Sequence, residues 1–498
     1  METYDYILLG LKVGITPINL LFCFIGVLIG TLVGVLPGVG PVAAMALLLP
    51  VTFHLTPVSA IIMLAGIYYG AMYGGSTTSI LVNIPGEAAS VITCLDGYQM
   101  ARKGRAGPAL GISAFGSFIA GTVSVIILMF IANPMADLVL KFGPPEYFCV
   151  MILGLTILIY LARESKIKAF IMACFGIILT FIGIDVLTGH NRFNFGWMPL
   201  AEGVGLVPLI MGIFGISEVL INMEHMVKQQ IYETKIAGLL PSKKDWRDSK
   251  WPIFRGTFLG FLLGILPGGG PTIASFTSYA IEKKISKYPE KFGTGIIEGV
   301  AGPEAANNSA TAGGFIPLFL IGIPTNGILA MLFSALMIHG MQPGPLILKQ
   351  NPEVFWGTVM SMYIGNLMLL VLNLPLIGMW VRLLKVPYQI QFPLILFFCL
   401  IGSYSINNNA LDVIVMLIFG LVGYFMRKYH YEGAPLILAF LLGPMIESNF
   451  IASLNMSGGS YKIFFESPIS AITLGIALIV VLTGVIPKNI IRKKIRND

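Results

Sequence analysis

Two blocks of small polar residues interrupt otherwise apolar sequence, and both carry groups able to bind ions. The first is Tyr73-Gly74-Gly75-Ser76-Thr77-Thr78-Ser79, followed by Asn83-Ile84-Pro85-Gly86-Glu87. The second is Glu304-Ala305-Ala306-Asn307-Asn308-Ser309-Ala310-Thr311, followed by Ile323-Pro324-Thr325-Asn326. Hydroxyls and amides donate to carboxylate oxygens and, through their own oxygens, ligate a hard cation. Carbonyls freed at a proline break add further cation ligands. A lone Ser or Thr in an apolar helix usually bonds back to a carbonyl one turn earlier; a run of them beside an Asn reads as function. The expected substrate contacts here are Ser76, Thr77, Thr78, Asn307, Asn308, Ser309 and Thr325. The expected ion contacts are Asn83, Asn326 and Thr311. Neither block contains Arg or Lys, so an anionic substrate must be neutralised by dipoles, amides, hydroxyls and a co-bound cation. Glu87, Asp96, Glu298 and Glu304 are the nearest acids, and an ionisable group at membrane depth is a functional candidate by default. A capping or gating role suits Glu87 and Asp96 equally well.

The elements that position these blocks are announced by glycine. Gly26, Gly30, Gly34 and Gly38 recur every fourth residue and run into Leu36-Pro37-Gly38-Val39-Gly40-Pro41. The pattern returns 230 residues later as Gly256, Gly260, Gly264 and Gly268, ending in Leu266-Pro267-Gly268-Gly269-Gly270-Pro271. Small residues four apart line one helix face and let a neighbouring backbone approach closely. The Pro-Gly run must then stop the helix, and Pro41 and Pro271 suit the first turn of a new one. Helix N-termini there would present free N–H groups and positive dipole ends to an anion. Gly38, Val39, Gly40, Gly268, Gly269 and Gly270 are therefore expected at the substrate. The competing account, in which the glycines only pack and the prolines only kink, covers Gly26 to Gly34 fully. A broken apolar helix duplicated in two halves points to a secondary transporter.

Composition supplies the setting. Hydrophobic residues make up 56 % of the 498 and charged residues 11 %, against roughly 25 % charge in soluble domains; mean hydropathy is +0.84. Apolar stretches recur at 110–132, 149–161, 169–184, 359–377 and 469–486, most of them near the roughly 20 residues a spanning helix needs. The fold class is an all-α polytopic membrane protein, with about 11 transmembrane crossings, re-entrant or broken helices and two inverted repeats. The net charge of +7 falls in short loops, where it reads as topogenic and not as a nucleic-acid footprint. The five cysteines are scattered and form neither a ligand spacing nor a disulfide framework, and no signal peptide is evident.

Basic segments near 102–105, 163–168, 222–255, 283–291, 382–385, 427–428 and 488–496 read as cytoplasmic; cation-poor loops near 142–146, 189–202, 403–412 and 447–466 read as external. Matching Gly74-Gly75 and Ile84-Pro85 to Gly313-Gly314 and Ile323-Pro324 puts corresponding loops on opposite sides, which is an inverted repeat. The organisation expected is a first membrane repeat at 18–221, a cytoplasmic amphipathic, charged linker at 222–255 and a second repeat at 256–446. An external loop, a terminal helix and a basic tail occupy 447–498. The N-terminus is placed outside and the C-terminus in the cytoplasm.

Enzyme chemistry finds no foothold: Gly264–Thr272 lacks the Lys of a phosphate loop, and the five histidines are dispersed. No cofactor or structural metal is expected. An exporter or flippase-like protein using the same broken helices is a second reading, disfavoured by the absence of a wide apolar groove in the pattern. An intramembrane enzyme would need a nucleophile with a base or metal cluster, and a channel fits symmetric breaks poorly.

At these motifs the sequence resembles the large permease subunit of the tripartite tricarboxylate transporters. The likeness rests on Gly30–Gly40 and Gly260–Gly270, on 68–81, on Ile84-Pro85-Gly86-Glu87, on 302–308 and on His339-Gly340-Met341-Gln342-Pro343-Gly344-Pro345. It implies a small membrane subunit and a periplasmic solute-binding protein as partners. It also implies secondary uptake of di- or tricarboxylates such as citrate across the bacterial inner membrane, by symport with Na+ or H+ and without ATP. Val39 stands opposite Gly269, so the two loops differ.

Overall fold

Proline and glycine divide the apolar sequence into helices, and the computed structural model describes them over residues 3–36, 40–162, 164–185, 189–196, 198–224, 238–383 and 388–485. Gly38, Val39 and the basic tail at 488–496 lie outside the described residues. The longer helices are α1 Thr3–Gly14, α2 Pro17–Val35, α3 Pro41–Thr52, α4 Pro57–Val82 and α5 Ala106–Val139. Then come α6 Pro144–Tyr160, α7 Lys166–Thr180, α8 Leu206–Glu224, α9 Lys243–Ile265, α10 Gly270–Ile285 and α11 Glu298–Gly313. The last are α12 Phe315–Ile321, α13 Gly327–Ile338, α14 Pro352–Asn373, α15 Tyr388–Asn407, α16 Ala410–Lys428, α17 Gly433–Met456 and α18 Pro468–Val485. Seven of these (α2, α4, α5, α8, α14, α16 and α17) are long and apolar enough to cross a membrane. The chain is an all-α polytopic membrane protein, and its described strand is confined to the two-residue pairing of Gly183–Ile184 with Asn191–Arg192.

The chain forms two units. One comprises 1–137 and 207–424, the other 138–206 and 425–498. Each half of the sequence thus contributes to both units.

In the first unit the glycine ladders serve as close-packing faces. A Cβ on Gly26, Gly30 or Gly34 of α2 would lie 2.3, 2.5 or 2.4 Å from the carbonyl oxygens of Met63, Ile67 and Ala71 in α4. On α9, a Cβ on Gly256, Gly260 or Gly264 would lie 2.4, 2.3 or 2.3 Å from the carbonyls of Gly302, Ala306 and Ala310 in α11. Only glycine permits these two pairs of helices to approach so far. Each carbonyl met by the second ladder lies 239 residues beyond the one met by the first. The two ladders are packed alike.

Helix ends obey local chemistry. Thr56 caps α4 at Ser59, and α4 stops at Asn83, whose φ of 60° is the left-handed conformation that Asn tolerates at a helix end. Helix α9 begins at Lys243, inside the charged segment, because Ser242 and Asp245 form a capping box there. Charged segment and glycine ladder are one helix, so residue 255 is not an element boundary.

The second unit uses the same device once more. A Cβ on Gly176 of α7 would lie 2.2 Å from the Leu436 carbonyl of α17. Arg192 there bridges Asp185 and, at 2.7 Å, Glu447, which accounts for an isolated cation in an otherwise cation-poor loop. The two acids hold its guanidinium above the ordinary arginine range.

Candidate functional site

The site lies in the first unit, where the two broken helices and the two polar blocks converge. Pro41 opens α3, and Pro271 sits in the first turn of α10. Gly268 and Gly270 take φ of 75° and 46°, which a side chain would oppose. The Gly268 N–H donates to the Thr325 carbonyl at 2.9 Å, stitching the second loop to the break between α12 and α13. Asn326 then caps α13: its Oδ1 accepts from the Ile328 and Leu329 N–H groups at 3.0 Å each. Its Nδ2 donates to the Tyr68 hydroxyl at 2.8 Å. That hydroxyl also faces Thr311.

A second contact mirrors this one. Asn307 Nδ2 donates to Glu87 Oε1 at 3.4 Å, and Glu87 in turn caps the short helix Ala88–Ser90. Asn307 lies 239 residues after Tyr68, and Asn326 lies 239 residues after Glu87. The pairs Tyr68–Asn326 and Glu87–Asn307 are therefore one contact made twice with the halves exchanged. Reciprocal contacts of this kind are what a two-fold relation produces. Glu87 and Asn326 hold matching cap positions, one acidic and one neutral.

The polar blocks divide between scaffold and site. Thr78 Oγ1 donates to the Val35 carbonyl at 2.7 Å, satisfying the end of α2. Ser309 donates to the Thr257 carbonyl and contacts Ser124 at 2.6 Å; Asn308 donates to Ser117 at 2.6 Å and to the Glu304 carbonyl at 3.2 Å. Thr311 donates to the Asn307 carbonyl at 3.1 Å. Thr77 is buried with them. Within these blocks the buried Asn307 Oδ1 and Thr325 Oγ1 have no hydrogen-bond partner. Beside Asn308 and Thr311 a cavity of about 30 Å³ is bordered by Tyr69, Tyr73 and Asn366, room for a water or a bare ion.

Among the residues expected at the ion, Asn326 and Thr311 meet through Tyr68, while Asn83 stands exposed at its helix end and touches neither. Gly40 takes φ of 63° with open space around it, Gly269 is tucked against the Leu263 carbonyl, and Gly270 lies beside Asn326. Tyr68 is the member of the cluster that the residue types alone did not mark; Glu87 and Glu304 were marked as candidate acids without a stated contact. Tyr68 reads as part of an apolar stretch; its one signal is its match to Asn307 under the repeat.

Acids near the site are dispersed in role. Asp96 is fully buried and accepts from Tyr279 at 2.8 Å and from the N–H groups of Gly293, Gly295 and Ile296, tying down the turn before α11. Glu298 is half-buried. Glu304 is buried and accepts from Ser76 at 2.6 Å, Ser113 at 3.1 Å and Thr93. No cation faces this cluster among the described residues, and no metal-ligand grouping of His, Cys, Asp and Glu occurs among them.

Apolar spanning helices, paired breaks and a buried polar cluster between them define a membrane transport protein. The chain matches the Tripartite tricarboxylate transporter TctA family over residues 20–438, and it belongs to that family, whose members are the large membrane subunits of such systems. It is similar to an "Uncharacterized 52.8 kDa protein in TAR-I ttuC' 3'region" of Agrobacterium vitis, 48 % identical over 487 residues, covering 98 % of this chain and 97 % of that protein. A second Agrobacterium vitis protein, "Uncharacterized protein in TAR-II ttuC' 3'region", is 47 % identical over 228 residues, 46 % of this chain and 94 % of its own length. No solved structure matches the chain.

Proposed function

We propose that this chain is the permease of a binding-protein-dependent secondary transporter that imports di- or tricarboxylates by symport with Na+ or H+ across the bacterial inner membrane. Its partners are a small membrane subunit and a periplasmic solute-binding protein. Two inverted repeats, together giving about 11 crossings, place their broken helices at one shared site and alternate its access. The observation that carries this reading is the reciprocal pair Tyr68–Asn326 and Glu87–Asn307. A site made of equivalent groups from two halves can open to either side, which is how inverted-repeat carriers work. Gly38 to Gly40 and Gly268 to Gly270 are assigned to the substrate, and Asn307 Oδ1 and Thr325 Oγ1, buried without a hydrogen-bond partner, are the side-chain atoms left to meet it. With no Arg or Lys in the cluster, the coupled cation offsets the substrate charge.

The test is uptake of radiolabelled citrate into cells carrying this chain with its small subunit and binding protein, with and without a sodium or proton gradient and after ATP depletion. Gradient-dependent, ATP-independent uptake that vanishes without the binding protein is expected. Efflux in place of uptake would instead support an exporter for another organic anion.

A further inference from the structure

Glu304 is a buried carboxyl with no cationic partner among the described residues. The titratable groups that face it are Glu87, Tyr73 and Cys94, contributed by three different segments, and none of them can carry a positive charge. An ion in that position is costly unless something neutralises it. Its hydrogen-bond partners show how. As a carboxylate, Glu304 accepts from Thr93 on Oε1 and from Ser76 and Ser113 on Oε2. The Ser76 hydroxyl also reaches a second acceptor, the Met72 carbonyl, at 3.3 Å.

A proton placed on Oε2 therefore leaves no group stranded. The acid donates to Ser76 Oγ along the same 2.6 Å contact, and the Ser76 hydrogen turns to the Met72 carbonyl. Thr93 and Ser113 keep their acceptors. Both protonation states are fully satisfied by rotation of one hydroxyl, because a hydroxyl both donates and accepts. Asp96 offers the contrast: three of its four partners are backbone N–H groups, which have no lone pair for an acid to use.

We propose that Glu304 takes up and releases the coupled proton, with Ser76 as the hydroxyl that switches between donor and acceptor. The proton arrives from water on the open side, bonds to Oε2, and returns to water once access has changed; no other bond is made or broken. This deepens the symport reading and rests on it. Glu304 lies on the same helix as Asn307, three residues earlier, so its charge is set next to the reciprocal contact with Glu87.

The experiment uses the full chain with its small subunit and binding protein in liposomes, with citrate as probe and an imposed pH gradient in sodium-free buffer. Wild-type protein should accumulate citrate. Glu304→Gln should lose accumulation, and any residual citrate exchange should no longer respond to pH. Ser76→Ala, which leaves the carboxyl in place, should displace the midpoint of the pH profile. Accumulation by Glu304→Gln at the wild-type level, or by the wild type only with sodium, overturns the proposal. A second measurement needs no substrate. Infrared difference spectra of the purified chain in lipid should show a carboxylic-acid carbonyl band on acidification that Glu304→Gln lacks. An identical band in the variant overturns the proposal. A wild type that moves no carboxylate at all sinks the transport reading, while the infrared titration still decides whether Glu304 binds the proton.

Discussion

Substituting Gly260 by Ala tests whether the glycine ladders hold the site's framework. The added Cβ would lie 2.3 Å from the Ala306 carbonyl oxygen, 2.7 Å from its Cα and 2.9 Å from its carbonyl carbon, all backbone. A carbon rests about 3.3–3.6 Å from a carbonyl oxygen, so α9 and α11 must part by about 1 Å. Neither helix can move a side chain aside to avoid this. Overpacking of a well-packed interior costs about 1–3 kcal/mol, and the gap would spread to Asn307 and Asn308 on the same helix. Gly30→Ala, whose Cβ would lie 2.5 Å from the Ile67 carbonyl, should cost as much. Gly475→Ala in α18 meets nothing within 4 Å and should gain up to about 1 kcal/mol from helix propensity. The assay is the melting temperature of detergent-solubilised protein, read by loss of the monodisperse peak. The two ladder variants should melt lower, by about 1 °C per kcal/mol for a chain of this length, and Gly475→Ala no lower than wild type. Gly260→Ala melting at or above the wild type would refute the packing argument.

Other outcomes depend on single contacts. Asn326→Ala should lose the cap of α13, worth about 1 kcal/mol, together with transport; Asn326→Asp keeps the cap oxygen and should recover melting temperature but not uptake. Asp96→Ala strips the acceptor from one hydroxyl and three backbone N–H groups, each costing about 1–3 kcal/mol when stranded, and should remove the protein from the membrane fraction; normal expression would contradict its structural role. Asp245 is pushed up by burial, but the Ser242 hydroxyl and N–H and the Arg105 guanidinium more than offset this and leave it below the ordinary range. Its stabilising share is therefore present at neutral pH and lost as pH falls below about 4, so the melting difference between wild type and Asp245→Asn should shrink there. A constant difference down to pH 3 would show that the pair is not the cause.

The sequence marked the breaks and ladders because their signals are local: a four-residue glycine period and a Pro-Gly stop act on neighbouring backbone alone. It also marked Asn326, as a polar residue just after a proline break, though its role as the cap of α13 came only with the structure. Asn83 looked equivalent in composition, yet its neighbours give it a different job, the left-handed end of α4, with its side chain in the open. Tyr68 was hidden because burial makes an aromatic look like core, and only its pairing with Asn326 in the other half reveals the hydroxyl as part of the site. The partners of Glu304 come from α4, the short helix Val91–Thr93 and α5, a convergence that no linear spacing encodes. Within the charged segment the capping box at Ser242 and Asp245 starts a helix that continues through the glycines, a continuity that the shift from polar to apolar composition hides.

The want of a basic residue in the cluster is itself informative under the proposed function. An arginine would hold a carboxylate with bidentate bonds and keep its charge in every state of the cycle. A carrier must release its cargo, so a permanent counter-charge would slow the step on the far side. A removable cation avoids this: it neutralises the substrate or Glu304 while the site is occupied and leaves with the cargo. The asymmetry of the two cap positions fits the same logic. Glu87 brings an acid to one half and Asn326 a neutral amide to the other, so the two contacts match in position but not in charge. If that asymmetry sets where the substrate lies, Glu87→Gln should raise the citrate concentration for half-maximal uptake or lower the maximal rate, whereas a change in neither would leave Glu87 as a helix cap and nothing more.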